Sequence, residues 1–375
     1  MDVSEFLRNR DIEFSTIVTA TQAAVGLEPD DVLLAVGSLA EGLGNTKSDL
    51  DLLLVIARNS GAQNVPLVLG KCLFDIEVMP VMTLEDIVRR FTSWLAQPWN
   101  PAQGSGIRPE ERQLLHRLLH SWVLFAGLND RVAALTPSKP DLARLKLHVA
   151  RHLARATQVD MAGYFHARDY PSLVFASQDL LGHAADGLAA GHRLTNPTAK
   201  WRSRMLNALP TTWEESLRHR PTGLSALQLF WSLHRAPQYP QAVEAVRHAL
   251  RIATFARAAF AWAERQLVAG SLESSRTFRW ACVRGAADET PLPQLGVDID
   301  FSQQNGELRI ARLNEFAESL QLSATEFDVT LLFDGITTAR EAQRALSGSA
   351  SDQLEPGLVK RVADRVTAAG FIHLN

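Results

Sequence analysis

Residues 32–56 read VLLAVGSLAEGLGNTKSDLDLLLVI, and the fold follows from how that stretch is parsed. Val32–Val36 is an unbroken apolar run, closed by a Gly37-Ser38 corner and a polar excursion. Asp49-Leu50-Asp51 then heads a second apolar run that lasts through Ile56. Short apolar runs bounded by turn residues mark buried strands. Side chains alternate across a strand, so Asp49 and Asp51 share one face while Leu50 and Leu52 turn toward a core. Two carboxylates held side by side repel, and each raises the other's cost of ionising; a bound divalent cation removes that cost. Gly37 lets the backbone approach a ligand closely, and Ser38 opens a short helix whose free N–H groups suit a phosphate. A phosphate cradle and a carboxylate pair joined by a loop are the two halves of a metal-assisted phosphoryl-transfer site.

Farther on, residues 71–81 read KCLFDIEVMPV. As a strand, this segment puts Phe74, Ile76 and Val78 on one face and Asp75 and Glu77 on the other. The combination of Gly-Ser at the end of one apolar run with Ser48-Asp49-Leu50-Asp51 opening the next resembles the signature of the DNA polymerase β-like nucleotidyltransferase superfamily. The likeness is to its small bacterial branch, which includes the kanamycin and streptomycin nucleotidyltransferases and the minimal nucleotidyltransferases of toxin–antitoxin pairs. The resemblance implies that Asp49 and Asp51 bind two Mg²⁺ ions, that Gly37 and Ser38 hold the terminal phosphates of ATP, and that Ser48 also touches phosphate. It further implies a third carboxylate from the later strand, as metal ligand or base. Asp75 and Glu77 both fit, with Glu77 preferred because Ile-Glu-Val resembles the Leu-Glu-Val stretch of aminoglycoside adenylyltransferases.

With 375 residues, 46% hydrophobic and 21% charged, the chain is globular and long enough for two or three domains. No apolar run reaches bilayer length and the start, MDVSEFLRNR, is charged, so a cytoplasmic protein without a membrane partner is expected. Cys72 and Cys282 are too few and too far apart for a disulfide framework or a zinc knuckle. Lys/Arg against Asp/Glu number 7 to 14 in 1–105, 21 to 12 in 106–270 and 10 to 15 in 271–375, net −7, +9 and −5. A basic middle between acidic ends suggests positive charge directed at something anionic, such as a nucleoside triphosphate.

Apolar periodicity predicts a helix over 3–26 ending at Gly26, and an amphipathic helix over Thr83–Gln97 with Thr83 as its N-cap. Residues 99–108 read as a linker. From 109 to about 269 the period is helical nearly throughout, with the clearest runs at Pro109–Ala126, Asp141–His166, Ser172–Gly191, Pro197–Leu209 and Pro240–Val268. Within it, Lys200-Trp201 resembles a Lys-Trp pair of related nucleotidyltransferases, which implies that Lys200 reaches the triphosphate, where an ammonium neutralises departing pyrophosphate. His116/His120 and His148/His152 are i,i+4 pairs on one helix face, a spacing able to bind zinc. Neither pair holds the intervening Glu of a hydrolytic zinc motif, so both read as surface or interhelix residues. PLPQLG (291–296) reads as a second linker, preceded by polar residues 271–290. A hairpin around Gln304-Asn305-Gly306, helices over Ser323–Leu332 and Pro356–Ala369, and a last strand at Gly370–His373 complete a unit that resembles winged-helix leader-peptide recognition domains.

The expected architecture is therefore an α/β nucleotidyltransferase domain with a mixed sheet (1–105), an all-α helical bundle (106–270) and a small winged-helix-like α+β domain (271–375). The expected activity is transfer of NMP, AMP from ATP foremost, to a hydroxyl of a small-molecule, peptide or protein acceptor with release of pyrophosphate. The alternative is a non-catalytic nucleotide-binding module on the same fold. A net charge of −5 in the last segment argues against nucleic acid as a partner. Kanamycin-type enzymes build their site across a dimer, so the resemblance also brings in a second copy of the chain.

Overall fold

The computed structural model describes residues 1–58, 63–70, 72–127, 129–210, 223–238, 241–268, 290–304, 307–313, 319–346, 355 and 357–373. Two compact units divide the chain, and neither is continuous in sequence. The first comprises 1–98, 105–142 and 195–201; the second comprises 99–104, 143–194 and 202–375.

In the first unit the chain runs α1 (Val3–Arg8), α2 (Phe14–Val25), β1 (Val32–Val36), α3 (Gly37–Ala40), β2 (Leu50–Ile56), β3 (Gln63–Leu69), β4 (Cys72–Pro80), α4 (Val81–Leu95), α5 (Pro109–Leu119), β5 (Trp122–Ala126) and α6 (Asn129–Leu135). The strands form one mixed sheet in the order β3-β4-β2-β1-β5, with β2 parallel to β4 and the other neighbours antiparallel. Central β2 is buried at every position except Asp51, which is why its sequence is an apolar run rather than an alternation. One sheet face, carrying Leu33, Ala35, Leu50, Leu52, Leu54, Phe74 and Ile76, packs with Phe6, Leu7 and Ile17 of α1 and α2. At one end of the sheet, buried Asp31 accepts from the backbone N–H of Glu28 and Ala57 and pairs with Arg58 at 2.8 Å.

Several expectations for this unit need correction. The helix predicted over 3–26 is two helices, broken where Asp11 takes a left-handed φ of 54°. The helix after β4 starts at Val81 with Pro80 as N-cap, so Thr83 lies inside its first turn. The run Pro109–Ala126 is a helix followed by a strand, and β5 hydrogen-bonds to β1. The sheet unit therefore does not close at 105: it needs β5 for an edge.

In the second unit follow α7 (Lys139–Ala167), whose first residues belong to the sheet unit, α8 (Tyr170–Gly191), α9 (Arg202–Asn207), α10 (Ala226–His234) and α11 (Ala242–Leu267). A three-stranded antiparallel sheet comes next, β6 (Ile299–Gln304), β7 (Glu307–Arg312) and β8 (Ser319–Leu322), then α12 (Ala324–Thr330), α13 (Ala339–Leu346) and α14 (Leu358–Ala368). The hairpin expected near 304–306 is present as β6 and β7, while Asn305 and Gly306 lie outside the described residues, as do 271–289 and Cys282. PLPQLG is no linker: Leu292 and Leu295 are buried, and Pro291, Gln294 and Leu295 make bridges to Thr338, Asp334 and Ile372. The helices and the small sheet share one hydrophobic core, from Ala184 and Leu188 of α8 through Phe260 of α11 to Ile310 and Phe371. Charge joins them too. Arg151 and Arg155 of α7 both reach Asp300 of β6, and Arg265 of α11 pairs with Asp328 of α12. Arg151, Arg155 and Arg265, three of the 21 Lys/Arg of 106–270, thus pair with acidic residues of the last segment of the chain. Among the described residues, no helix is long and apolar enough to cross a membrane.

Candidate functional site

β1 ends where β2 begins, with Val36 opposite Asp51. Gly37 follows with φ +77°, and a Cβ built on it would overlap Oδ2 of Asp51. The glycine of the Gly-Ser corner is thus required by the carboxylate it faces as well as by its left-handed backbone. On the other side, the parallel register sets Asp51 beside Asp75 and Leu53 beside Glu77. Asp51, Asp75 and Glu77 therefore fall on one sheet face, the face opposite Leu50, Leu52, Phe74 and Ile76, and Asp49 lies just before β2.

They are not equivalent. Asp49 is exposed and precedes the strand, Asp75 is exposed, and Asp51 is half-buried. Burial pushes the Asp51 carboxyl up from its ordinary range, repulsion from Asp49 and Asp75 adds to that, and Arg117 and Lys200 oppose it. Glu77 instead accepts from Nη1 of Arg117 at 2.6 Å. The sequence offered Asp75 and Glu77 as the third carboxylate, with Glu77 preferred; the register sets Asp75 directly beside Asp51, while Glu77 stands one pair farther along and accepts from Arg117. Arg117 carries no sequence signal beyond its place on α5, and it is the strongest cation opposing the protonation of Asp51.

Ser38 lies in α3, half-buried beside this group. Ser48 closes the turn before β2: its Oγ accepts from Asn45 N–H at 2.9 Å. Lys200 sits in a single 3₁₀ turn, Ala199–Trp201, exposed, with Nζ 5.2 Å from the ring centre of Trp201. Its charge acts on Asp51 although 149 positions separate them in the chain, from 51 to 200.

A second polar cluster occupies the same unit. Glu41, which caps α3, lies 2.7 Å from Nε2 of His116 and 3.9 Å from Nε2 of His120, both on α5. Thr195 Oγ1 stands 3.0 Å from His116 Nδ1 and 3.3 Å from His120 Nε2. Asn196 donates from Nδ2 to the other oxygen of Glu41 at 2.6 Å. Burial works against ionisation of Glu41, but contact with His116, the charges of both histidines and the Asn196 bond outweigh it and hold its carboxyl low. Burial, then the neighbouring His116, keeps His120 below its ordinary value, with Glu41 opposing. Sequence spacing showed the two histidines but not Glu41, Thr195 or Asn196, which lie about 75 positions to either side.

The other histidine pair has a different role. His148 Nε2 and His152 Nδ1 bond the backbone carbonyls of Gln103 and Pro101 at 2.9 and 3.0 Å, fixing the 99–104 segment to α7. This is a structural use of the i,i+4 spacing. No family model matches the chain, and no curated protein matches it.

Proposed function

We propose that the chain is a metal-dependent nucleotidyltransferase with a DNA polymerase β-like catalytic unit, moving AMP from ATP to a hydroxyl of a small-molecule, peptide or protein acceptor. The observation that carries this reading is the pairing of Asp51 with Asp75 across the parallel register, with Gly37 pressed against Asp51 and Asp49 close enough for its charge to act on Asp51. An all-oxygen donor set suits Mg²⁺, and burial and its neighbours' charge hold the Asp51 carboxyl protonation-prone; in this structure Asp49, Asp51 and Asp75 do not all bring an oxygen within 4.8 Å of one another. Asp49, Asp51 and Asp75 would hold one or two Mg²⁺ ions, which when bound supply charge neutralisation for the triphosphate.

The chain's own residues account for the rest. Asp75, the exposed carboxylate, takes the proton of the acceptor hydroxyl. The acceptor oxygen bonds to the α-phosphorus as the bridging P–O bond to the β-phosphate breaks, and its electron pair leaves with pyrophosphate. Lys200 and Arg117 offset the negative charge around the triphosphate, and Glu77 orients Arg117. The Ser38 hydroxyl, in the turn after Gly37, would contact the terminal phosphates. For the C-terminal three-stranded sheet with α12–α14, a winged-helix-like peptide- or protein-binding role agrees with its net charge of −5 better than nucleic-acid binding does.

The test is pyrophosphate release from ATP, GTP, CTP and UTP with Mg²⁺, with and without cell extract as a source of acceptor. ATP turnover that requires extract and is lost in Asp51→Asn is expected. Asp75→Asn should slow it by about 10²–10⁴-fold, the usual worth of a positioned base, and Glu77→Gln by less than about tenfold. Saturable nucleotide binding without release under any acceptor condition refutes the reading and leaves a non-catalytic nucleotide-binding module.

A further inference from the structure

We propose that Glu41, His116 and His120 form a second metal site, for a borderline transition-metal dication of the Zn²⁺ class, with Thr195 and Asn196 as its outer partners. The donor set is two imidazole nitrogens and one carboxylate, the composition of a three-ligand zinc site with an open position. Imidazole suits Zn²⁺, whereas the all-carboxylate group at Asp51 suits Mg²⁺, so the two sites select different ions. One potential donor atom from each residue lies within 4.8 Å of the other two. Ligands of one tetrahedral zinc stand roughly 3.3 Å apart for bonds of about 2.0–2.1 Å. The Glu41 separations of 2.7 and 3.9 Å bracket that spacing.

The surroundings of the ligands point the same way. His116 is 4% exposed. Its Nδ1 stands 3.0 Å from the Thr195 hydroxyl and its Nε2 faces Glu41. Although Nε2 lies 2.7 Å from Oε1, it makes no directed hydrogen bond. Metal-bound histidines donate their remaining N–H to an oxygen and metal-bound carboxylates are themselves hydrogen-bonded, as His116 and Glu41 are here through Thr195 and Asn196.

The experiment is titration of the metal-stripped full chain with Zn²⁺ against a chelating indicator, with elemental analysis and Co²⁺ visible spectroscopy as direct readouts of the ligand field. One tight Zn²⁺ per chain is expected, unaffected by excess Mg²⁺ and retained in Asp51→Asn. His120→Asn and Glu41→Gln should each weaken it by more than about 100-fold, and Asn196→Ala by about 10–100-fold, the usual loss for an outer partner. His120, at 30% side-chain exposure, is the substitution least able to unfold the chain, and circular dichroism verifies each variant. Failure of the folded wild-type chain to bind Zn²⁺ overturns the proposal, as does binding that persists undiminished in His120→Asn. Either result makes the cluster a hydrogen-bonded strut. Neither bears on pyrophosphate release, so this site and the Asp51 site fail independently.

Discussion

Substituting Gly37 by alanine tests the contact that joins the Gly-Ser corner to the carboxylate group. The added Cβ meets two penalties of different origin. The left-handed φ of +77° costs a non-glycine residue about 1–2 kcal/mol whatever surrounds it. Overlap with the Asp51 carboxylate adds an overpacking cost of about 1–3 kcal/mol, because Asp51 sits in a strand flanked on both sides and has little room to retreat. The total is about 2–5 kcal/mol. In an Asp51→Ala background the carboxylate is gone and only the Asp51 Cβ, 3.2 Å from the new methyl, remains as a neighbour, so the second penalty largely disappears. The cycle Gly37→Ala, Asp51→Ala and the double variant should therefore show a coupling of about 1–3 kcal/mol. Hydrogen exchange at the amides of Val32–Val36 and Leu50–Ile56 measures opening of this unit alone. Additive costs in the cycle would mean that Asp51 does not face Gly37, and the geometry of the proposed site would fall with it.

Asp31→Ala should destabilise the same sheet by about 3 kcal/mol by exchange at β1, since it strips a buried partner from Arg58 and the amides of Glu28 and Ala57; a loss under 1 kcal/mol would refute that role. In the second unit, burial depresses His148 and His248 to about 4. A folded pKa below the unfolded value of about 6.5 means the unfolded chain binds more protons between the two, so stability falls as pH drops from about 6.5 to about 4. Each histidine then costs roughly 2 kcal/mol by pH 5 at 1.36 kcal/mol per pH unit. Thermal unfolding of the wild-type chain should move to lower temperature between pH 7 and pH 5, and His248→Gln should reduce the drop; an unchanged midpoint would contradict it.

How much of this is legible in the sequence depends on how each element is buried. β1 and β2 are covered strands that read directly as apolar runs between turn residues; β4, exposed at Leu73 and Asp75, also reads directly, as an alternation. β3 does not: it is a sheet edge with alternating exposure and Pro66 in its middle, a residue tolerated where no ladder bond is needed. β5 is masked because Trp122–Ala126 follows α5 with no Gly or Pro to mark the change, and only pairing with β1 makes it a strand. Alternation was enough to put Asp75 and Glu77 on the acidic face, but that Asp75 stands beside Asp51 and that Glu77 bonds Arg117 are long-range facts. The Glu41 cluster is built from three distant segments, and no local pattern announces it.

The return of residues 195–201 to the sheet has a consequence for biosynthesis. A ribosome that has delivered only the first 142 residues has supplied the strands and the acidic group, but not Thr195, Asn196 or Lys200. Those arrive after another 52 residues, 143–194, that belong to the other unit. A nascent chain can thus assemble its sheet early while Lys200, the Thr195 partner of His116 and His120 and the Asn196 partner of Glu41 are still unsynthesised, and any fragment ending near 142 would carry carboxylates without their late-arriving lysine.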